Sequence, residues 1–233
     1  MRLLTSIILI FALTPVVVCG QTAAATKFDS YGRLTTDDEA AHLDLFEEQL
    51  RTHPELRGYL VGYNQPTIAP GVFLRRLYGD QRYLIEMRGL PANRIAVVDG
   101  GYRSVFTLEL WLVPNSLPLP TPTPTSPPPE NAGARELFDE ECLECSPAVL
   151  LDLYAFSDGL RFYSAALQNN LTSRGLIVVR PGQDISARGA FNRALKAKRV
   201  LIRSYKINAS RLTINVARRR KDNLSTAEMW IIK

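Results

Sequence analysis

Few side chains in this sequence are of a type that does chemistry unaided. Cys142 and Cys145 make a Cys-x-x-Cys pair, His42 and His53 are the only histidines, and Arg76 recurs as Arg193 one repeat later. A Cys-x-x-Cys pair serves as a redox couple, as half of a metal site or as a local disulfide. With no second pair and no neighbouring histidine, four-ligand zinc is not expected, and no metal site is assigned. The flanking DEECLECSP carries carboxylates that raise a thiol pKa, which argues against a catalytic couple. A disulfide or idle thiols are the reading adopted, with a thiol-redox protein as the remote alternative. Neither histidine has a Ser or Cys at a motif spacing, and there is no GxGxxG or P-loop. These residue types imply no enzyme and no cofactor.

The elements that position them are written twice. RYLIEMRGLPANRI (82–95) returns as RVLIRSYKINASRL (199–212), with Arg82/Arg199, Leu84/Leu201, Ile85/Ile202, Ala92/Ala209 and Arg94/Arg211 identical at an offset of 117. Arg57-Gly58 and Arg174-Gly175 keep that offset, and ELWLVP (109–114) returns as EMWIIK (228–233) at 119. A fixed period of this length marks an internal duplication. Within the first copy the expected order is a short strand at 26–29, a helix from a Thr36-x-x-Glu39 capping box to Pro54, and a strand at 58–63. A helix over 72–88 stopping at Gly89, then strands at 94–99 and 105–113, complete it. In the second copy LLDLYAF (150–156) and a turn at 157–159 come first. Helices over 160–171 and 187–203 and strands at 175–180, 211–217 and 225–232 follow. Order β-α-β-α-β-β predicts an α/β sandwich, each mixed sheet carrying two helices on one face.

Residues 1–20, with Arg2 and an apolar run from Leu3 to Val18, read as a secretory signal peptide, cleaved after Gly20 or as late as Ala25. Cys19 raises a lipoprotein alternative that Val18 disfavours. No other run is apolar enough to span a bilayer, so the expected product is exported to the periplasm, outer envelope or medium. Residues 27–114 form module one and 148–233 module two. Between them, 115–147 is a Pro/Thr-rich acidic linker, expected as an extended rod that leaves the modules to fold separately. The charge is uneven: acids exceed bases by two in 27–114 and by five in 115–147, whereas bases exceed acids by eleven in 148–233. The isoelectric point near 9.2 is a property of module two.

GYLVGYNQ (58–65), FLRRL (73–77) and YLIEMRGLPANRIAVVDGG (83–101) together resemble the OmpA-like peptidoglycan-binding domain. The likeness covers nearly all of module one and, more faintly, module two through FNRALKAKRVLI and KINASRLTINV. In that family an Asp and a helix-borne Arg grip the zwitterionic diaminopimelate of the peptide stem, a carboxylate on its ammonium and a guanidinium on its carboxylate. The resemblance implies Arg76 and Arg193 as the arginines. Gln65 stands where the Asp belongs in module one. Gly182 occupies that place in module two, with Asp184 two residues on. The implied function is a non-enzymatic envelope module, with a scaffold that no longer binds wall as the alternative.

The cationic excess gives further candidates. Lys196, Lys198, Arg199 and Arg203 fall on one expected helix, and Arg218, Arg219, Arg220 and Lys221 crowd the last turn, two zones rather than one groove. Solvated surface pairing with the acidic linker is one reading; contact with an envelope polyanion, anionic lipid or acidic glycan, is the other. The basic runs carry no aromatic stacking residues, so nucleic acid is not expected.

Overall fold

The computed structural model describes residues 24–130, 134–142, 155–183, 185–218 and 225–233. Each copy builds one four-stranded mixed sheet with two helices. In the first copy these are β1 (Thr26–Tyr31), α1 (Thr36–Thr52), β2 (Leu56–Asn64), α2 (Pro70–Arg82), β3 (Ile95–Tyr102) and β4 (Thr107–Pro114). In the second they are β5 (Arg135–Cys142), α3 (Ala155–Asn169), β6 (Arg174–Arg180), α4 (Ala187–Arg203), β7 (Leu212–Val216) and β8 (Thr226–Ile232). The sheets run β1-β4-β2-β3 and β5-β8-β6-β7. In both, the second and third strands are parallel and the other pairs antiparallel. The expected α/β class with mixed sheets therefore holds.

Local chemistry sets the helix ends. Thr35, not Thr36, caps α1: its Oγ1 accepts from the Asp38 amide at 3.3 Å. That shift frees Glu39 from a capping box and turns it inward. Beyond α2, a π-helical turn at Tyr83–Met87 closes on Gly89, whose φ of 75° suits a residue without Cβ. Leu43, Phe46 and Leu50 of α1 and Ala190, Ala194, Ala197 and Leu201 of α4 recur every three or four residues and fill the two cores.

The duplication is visible atom by atom. A Cβ on Gly58 would strike Phe46, Leu50 and Ile95; on Gly175 it would strike Tyr163, Leu167 and Leu212, the same positions 117 residues on. Only glycine lets the first helix of each module lie this close to the central strand. Arg94 donates to the carbonyls of Leu50, His53 and Leu56, and Arg211 to those of Leu167, Asn170 and Ser173, again 117 apart. Each guanidinium thereby caps the C-terminus of its module's first helix. Trp111 bonds Glu109, and Trp230 bonds Glu228, at 2.9 Å in both cases.

Two expectations about the second copy are corrected. The strand that pairs with β8 at the sheet edge is Arg135–Cys142, inside the stretch read as linker; of LLDLYAF (150–156), residues 150–154 lie outside the described residues and Ala155 and Phe156 begin α3. The β1–β4 register breaks between Lys27 and Asp29 and the β5–β8 register between Leu137 and Asp139, so Phe28-Asp29 and Phe138-Asp139 are equivalent bulges. Their offset is 110, because the connection from β5 to α3 is longer than that from β1 to α1. The expected turn at 157–159 belongs to α3, where Gly159 leaves room for Glu141 and Asp139 of β5.

The linker is not a free rod either. Its proline-rich part lies along module one. Ser126 bridges Tyr102, and the Thr123 amide donates to the Tyr63 hydroxyl at 3.1 Å. Arg103, stacked on the Tyr63 ring and bonded to Glu109, donates to the Thr123 carbonyl. Gly101, at φ 87°, lets Pro124 approach. The modules also pack together, α2 against α3 and β5. Arg75 forks onto Asp139 at 2.8 and 3.0 Å and pairs with Glu141 at 3.1 Å; Arg82 pairs with Asp158; Tyr78 stacks on Phe162 at 5.0 Å.

Candidate functional site

Arg76, the residue implied for wall binding, sits in the second turn of α2 and points into module one. Its Nε and Nη2 both donate to Glu39 Oε1, at 3.1 and 2.9 Å, and its guanidinium lies 4.7 Å from the centre of the Phe106 ring. Glu39 is buried. One turn further along α2, Asp80 is 1% exposed, and neither of its carboxyl oxygens has a hydrogen-bond partner. The Tyr31 hydroxyl, also buried, lacks one as well. Burial, reinforced by the Glu39 charge and only partly offset by Arg76, holds the Asp80 carboxyl well above the ordinary carboxylate range. Burial likewise pushes the Tyr31 phenol up. Two carboxyls, one guanidinium and one phenol thus share an interior niche. Paired carboxyls can exchange a proton, but acid–base catalysis requires reach to a substrate, and here both carboxyls and the phenol are buried, the Arg76 side chain alone being part-exposed.

Gln65 lies half-buried at the end of β2, where its carbonyl accepts from the Ile68 amide at 2.9 Å; no hydrogen bond joins it to Arg76. In module two, Arg193 is half-buried beside Leu160, Ala197 and Met229 and is engaged within the molecule. Asp184 falls outside the described residues. The structure therefore does not assemble an Arg–carboxylate clamp open to a ligand from Arg76 and Gln65. Cys142, at the end of β5, is disulfide-bonded; Cys145, its expected partner, lies outside the described residues. Among the described residues no cluster of three or more His, Cys, Asp or Glu side chains could hold a metal ion, and no helix is long and apolar enough to cross a membrane.

The cationic helix residues behave differently. On α4, Arg188, Lys196, Arg199 and Arg203 are exposed along one face, opposite the buried alanines. None of the four has an acidic partner among the described residues. The helix holds no acid at all. Lys198 leaves the group: its Nζ donates to the Leu212 carbonyl at 2.5 Å and fastens α4 to β7. Arg218 is exposed at the end of the described part of its segment, while Arg219, Arg220 and Lys221 lie outside it. Three linker acids among the described residues are engaged elsewhere: Asp139 and Glu141 turn to Arg75 of module one, and Glu136 meets Lys233.

Sequence reasoning missed the Glu39–Arg76–Asp80 niche and the Arg75–Asp139 pair. Helical spacing carried a signal for the first, since Arg76 and Asp80 are four apart on one face. Nothing local signals the second, whose partners are 64 residues apart. Comparison with protein-family models and with curated protein sequences finds no match.

Proposed function

We propose that the chain is a non-enzymatic, exported envelope module of the OmpA-like type, which recognises an acidic surface through the outer face of α4. One observation carries this reading: Arg188, Lys196, Arg199 and Arg203 line an exposed helix face with no acid on the helix and no ion pair among the described residues. Module one's cations, by contrast, are used internally, Arg75, Arg76, Arg82, Arg88 and Arg103 each pairing with a carboxylate. Four such charges within one face attract an anionic partner at long range and lose that attraction as salt screens them. Stem-peptide capture by Arg76 or Arg193 has less support, because both side chains already have internal partners.

The test is retention on immobilised poly-glutamate, used as a plain acidic surface. The protein should bind at low salt and elute at about 0.3 M, as screened exposed charges do. Reversing Arg188, Lys196, Arg199 and Arg203 to Glu should abolish retention. Flow-through of the unaltered protein at low salt would sink the α4 reading. Sedimentation with purified peptidoglycan sacculi supplies the rival arm: binding that survives the α4 reversal but is lost in Arg76→Ala would restore the wall-ligand reading.

A further inference from the structure

The joint between the modules uses one face of α2. Gly71 lies against Asp139, Leu74 packs against both cores, Arg75 forks onto Asp139, Tyr78 stacks on Phe162, and Arg82 pairs with Asp158. Shifted by 117, these positions are Arg188, Phe191, Asn192, Leu195 and Arg199 of α4. On α4 the face is uncovered. Phe191, the counterpart of Leu74, is 43% exposed, and Leu195, the counterpart of Tyr78, is half-buried beside it; the cations surround the pair.

The receiving surface of the joint also has a counterpart. In module two it is Asp139 after the β5 bulge with Asp158 and Phe162 of α3. In module one the same places are Asp29 after the β1 bulge and Ala41 and Leu45 of α1. Leu45, the counterpart of Phe162, is 57% exposed. Asp37, Asp38 and Glu48 are exposed on the same helix, which carries six acids against one arginine. The joint is not reciprocated within the chain: among the described residues, α4 has no packing on α1 or β1 to match that of α2 on α3 and β5. Such a contact is heterologous: it leaves one unjoined half at each end. One end here is a cationic helix face with an apolar centre. The other is an acidic face with an apolar centre.

Building on the reading of α4 as the recognition face, we propose that its acidic partner is a second copy of this chain, docked through α1 and β1. The internal joint is thereby repeated between molecules, head to tail, with Leu195 against Leu45 where Tyr78 meets Phe162. The repeat is a looser version of the original. Asn192 replaces Arg75, and Tyr31 and Ala41 replace Glu141 and Asp158, so the buried fork gives way to exposed charges around an apolar contact. Association of this kind is reversible and salt-sensitive.

Sedimentation velocity on the protein, from roughly 1 to 200 µM at low salt, reads the interaction. The sedimentation coefficient should rise with concentration and fall back to that of the monomer by about 0.5 M salt. Leu45→Arg blocks the acidic end and Phe191→Asp the cationic end; both sites are exposed, and near-UV circular dichroism confirms that each variant is folded. Each alone should stay monomeric. Mixed, they retain one good end apiece and should form a one-to-one dimer that grows no further, an outcome that neither a two-fold contact nor general aggregation produces. A protein that is monomeric throughout, single variants that still self-associate, or a mixture that fails to pair would each overturn the proposal. Retention on poly-glutamate by a protein that stays monomeric would overturn only the choice of partner, whereas loss of both would remove the α4 reading itself.

Discussion

Removing Arg75 tests whether the two modules stand or fall together. Its guanidinium makes a bidentate contact with Asp139, adds a bond to the Glu140 carbonyl at 3.1 Å and pairs with Glu141 at 3.1 Å. Asp139 is 0% exposed and the Arg75 side chain 15%. Burial already raises the Asp139 carboxyl, and Arg75 is the main influence opposing that rise. Arg75→Ala therefore strands the buried Asp139 carboxyl in a low-dielectric pocket, at a cost of about 3–5 kcal/mol. Replacing both partners, as Arg75→Met with Asp139→Leu, should return stability to within about 1 kcal/mol of the parent, because burying a charge pair yields little net gain over apolar packing. The assay is equilibrium denaturation followed by tryptophan fluorescence. The two tryptophans, Trp111 and Trp230, fall one in each module. Trp→Phe versions thus report the modules separately. The parent should show coincident transitions, and Arg75→Ala should split them. A loss under about 1 kcal/mol with transitions still coincident would show that the fork does not hold the modules together.

Other perturbations bear on the interior and the linker. Asp80→Asn should stabilise the protein at pH 8 by roughly 1 kcal/mol or more, because an unpaired buried carboxyl no longer has to ionise or hold a proton. The folded pKa of Asp80 lies above its unfolded value, so its contribution favours folding at low pH and is lost as pH rises toward the folded pKa. The gain in Asp80→Asn should accordingly shrink to nothing near pH 4, and urea midpoints at both pH values check it. Arg211→Met should cost about 1–3 kcal/mol by leaving the carbonyls of Leu167, Asn170 and Ser173 without their donor; Arg94→Met should match it in module one, read by the same denaturation. Arg103→Ala should release the Thr123 segment and speed limited proteolysis between 115 and 130 several-fold, with no splitting of the unfolding transitions.

Repetition made the fold legible. The Arg-Gly and Arg94/Arg211 identities marked places where a missing Cβ or a capping guanidinium is needed twice, and the structure puts both to the same use in each copy. The helix expected over 187–203 matches α4, on which alanines recur along one face and which Ser186 caps. β5 was not readable. RELFDEEC is acidic where strands are usually apolar or β-branched, and its acids are tolerated because Arg75 arrives from a distant helix. The proline-rich run was legible as extended but not as docked, since docking depends on Arg103 and Tyr63 meeting it in space. Arg76 was singled out by position, yet its partner Glu39 was read as a cap; a one-residue shift of the helix start reversed that role.

What the copies share and where they differ has a physical pattern. Several positions that keep their residue at offset 117 face each module's own core or cap its own helix, namely Gly58/Gly175, Leu50/Leu167, Leu84/Leu201 and Arg94/Arg211, although Arg82/Arg199 is also kept and Arg82 lies at the joint. Several positions that differ lie at the joint: Arg75/Asn192, Tyr78/Leu195 and Ala41/Asp158. A fork from Arg75 onto a fully buried Asp139 is useful only where both partners are always present, which a covalent linker guarantees and a second molecule does not. On the free α4 face position 192 is exposed, so an arginine there would be solvated and would have to give up that solvation each time a partner docked. The uncovered counterpart on α4 therefore carries Asn192 at that place and keeps its charges at the rim, where water solvates them when no partner is bound.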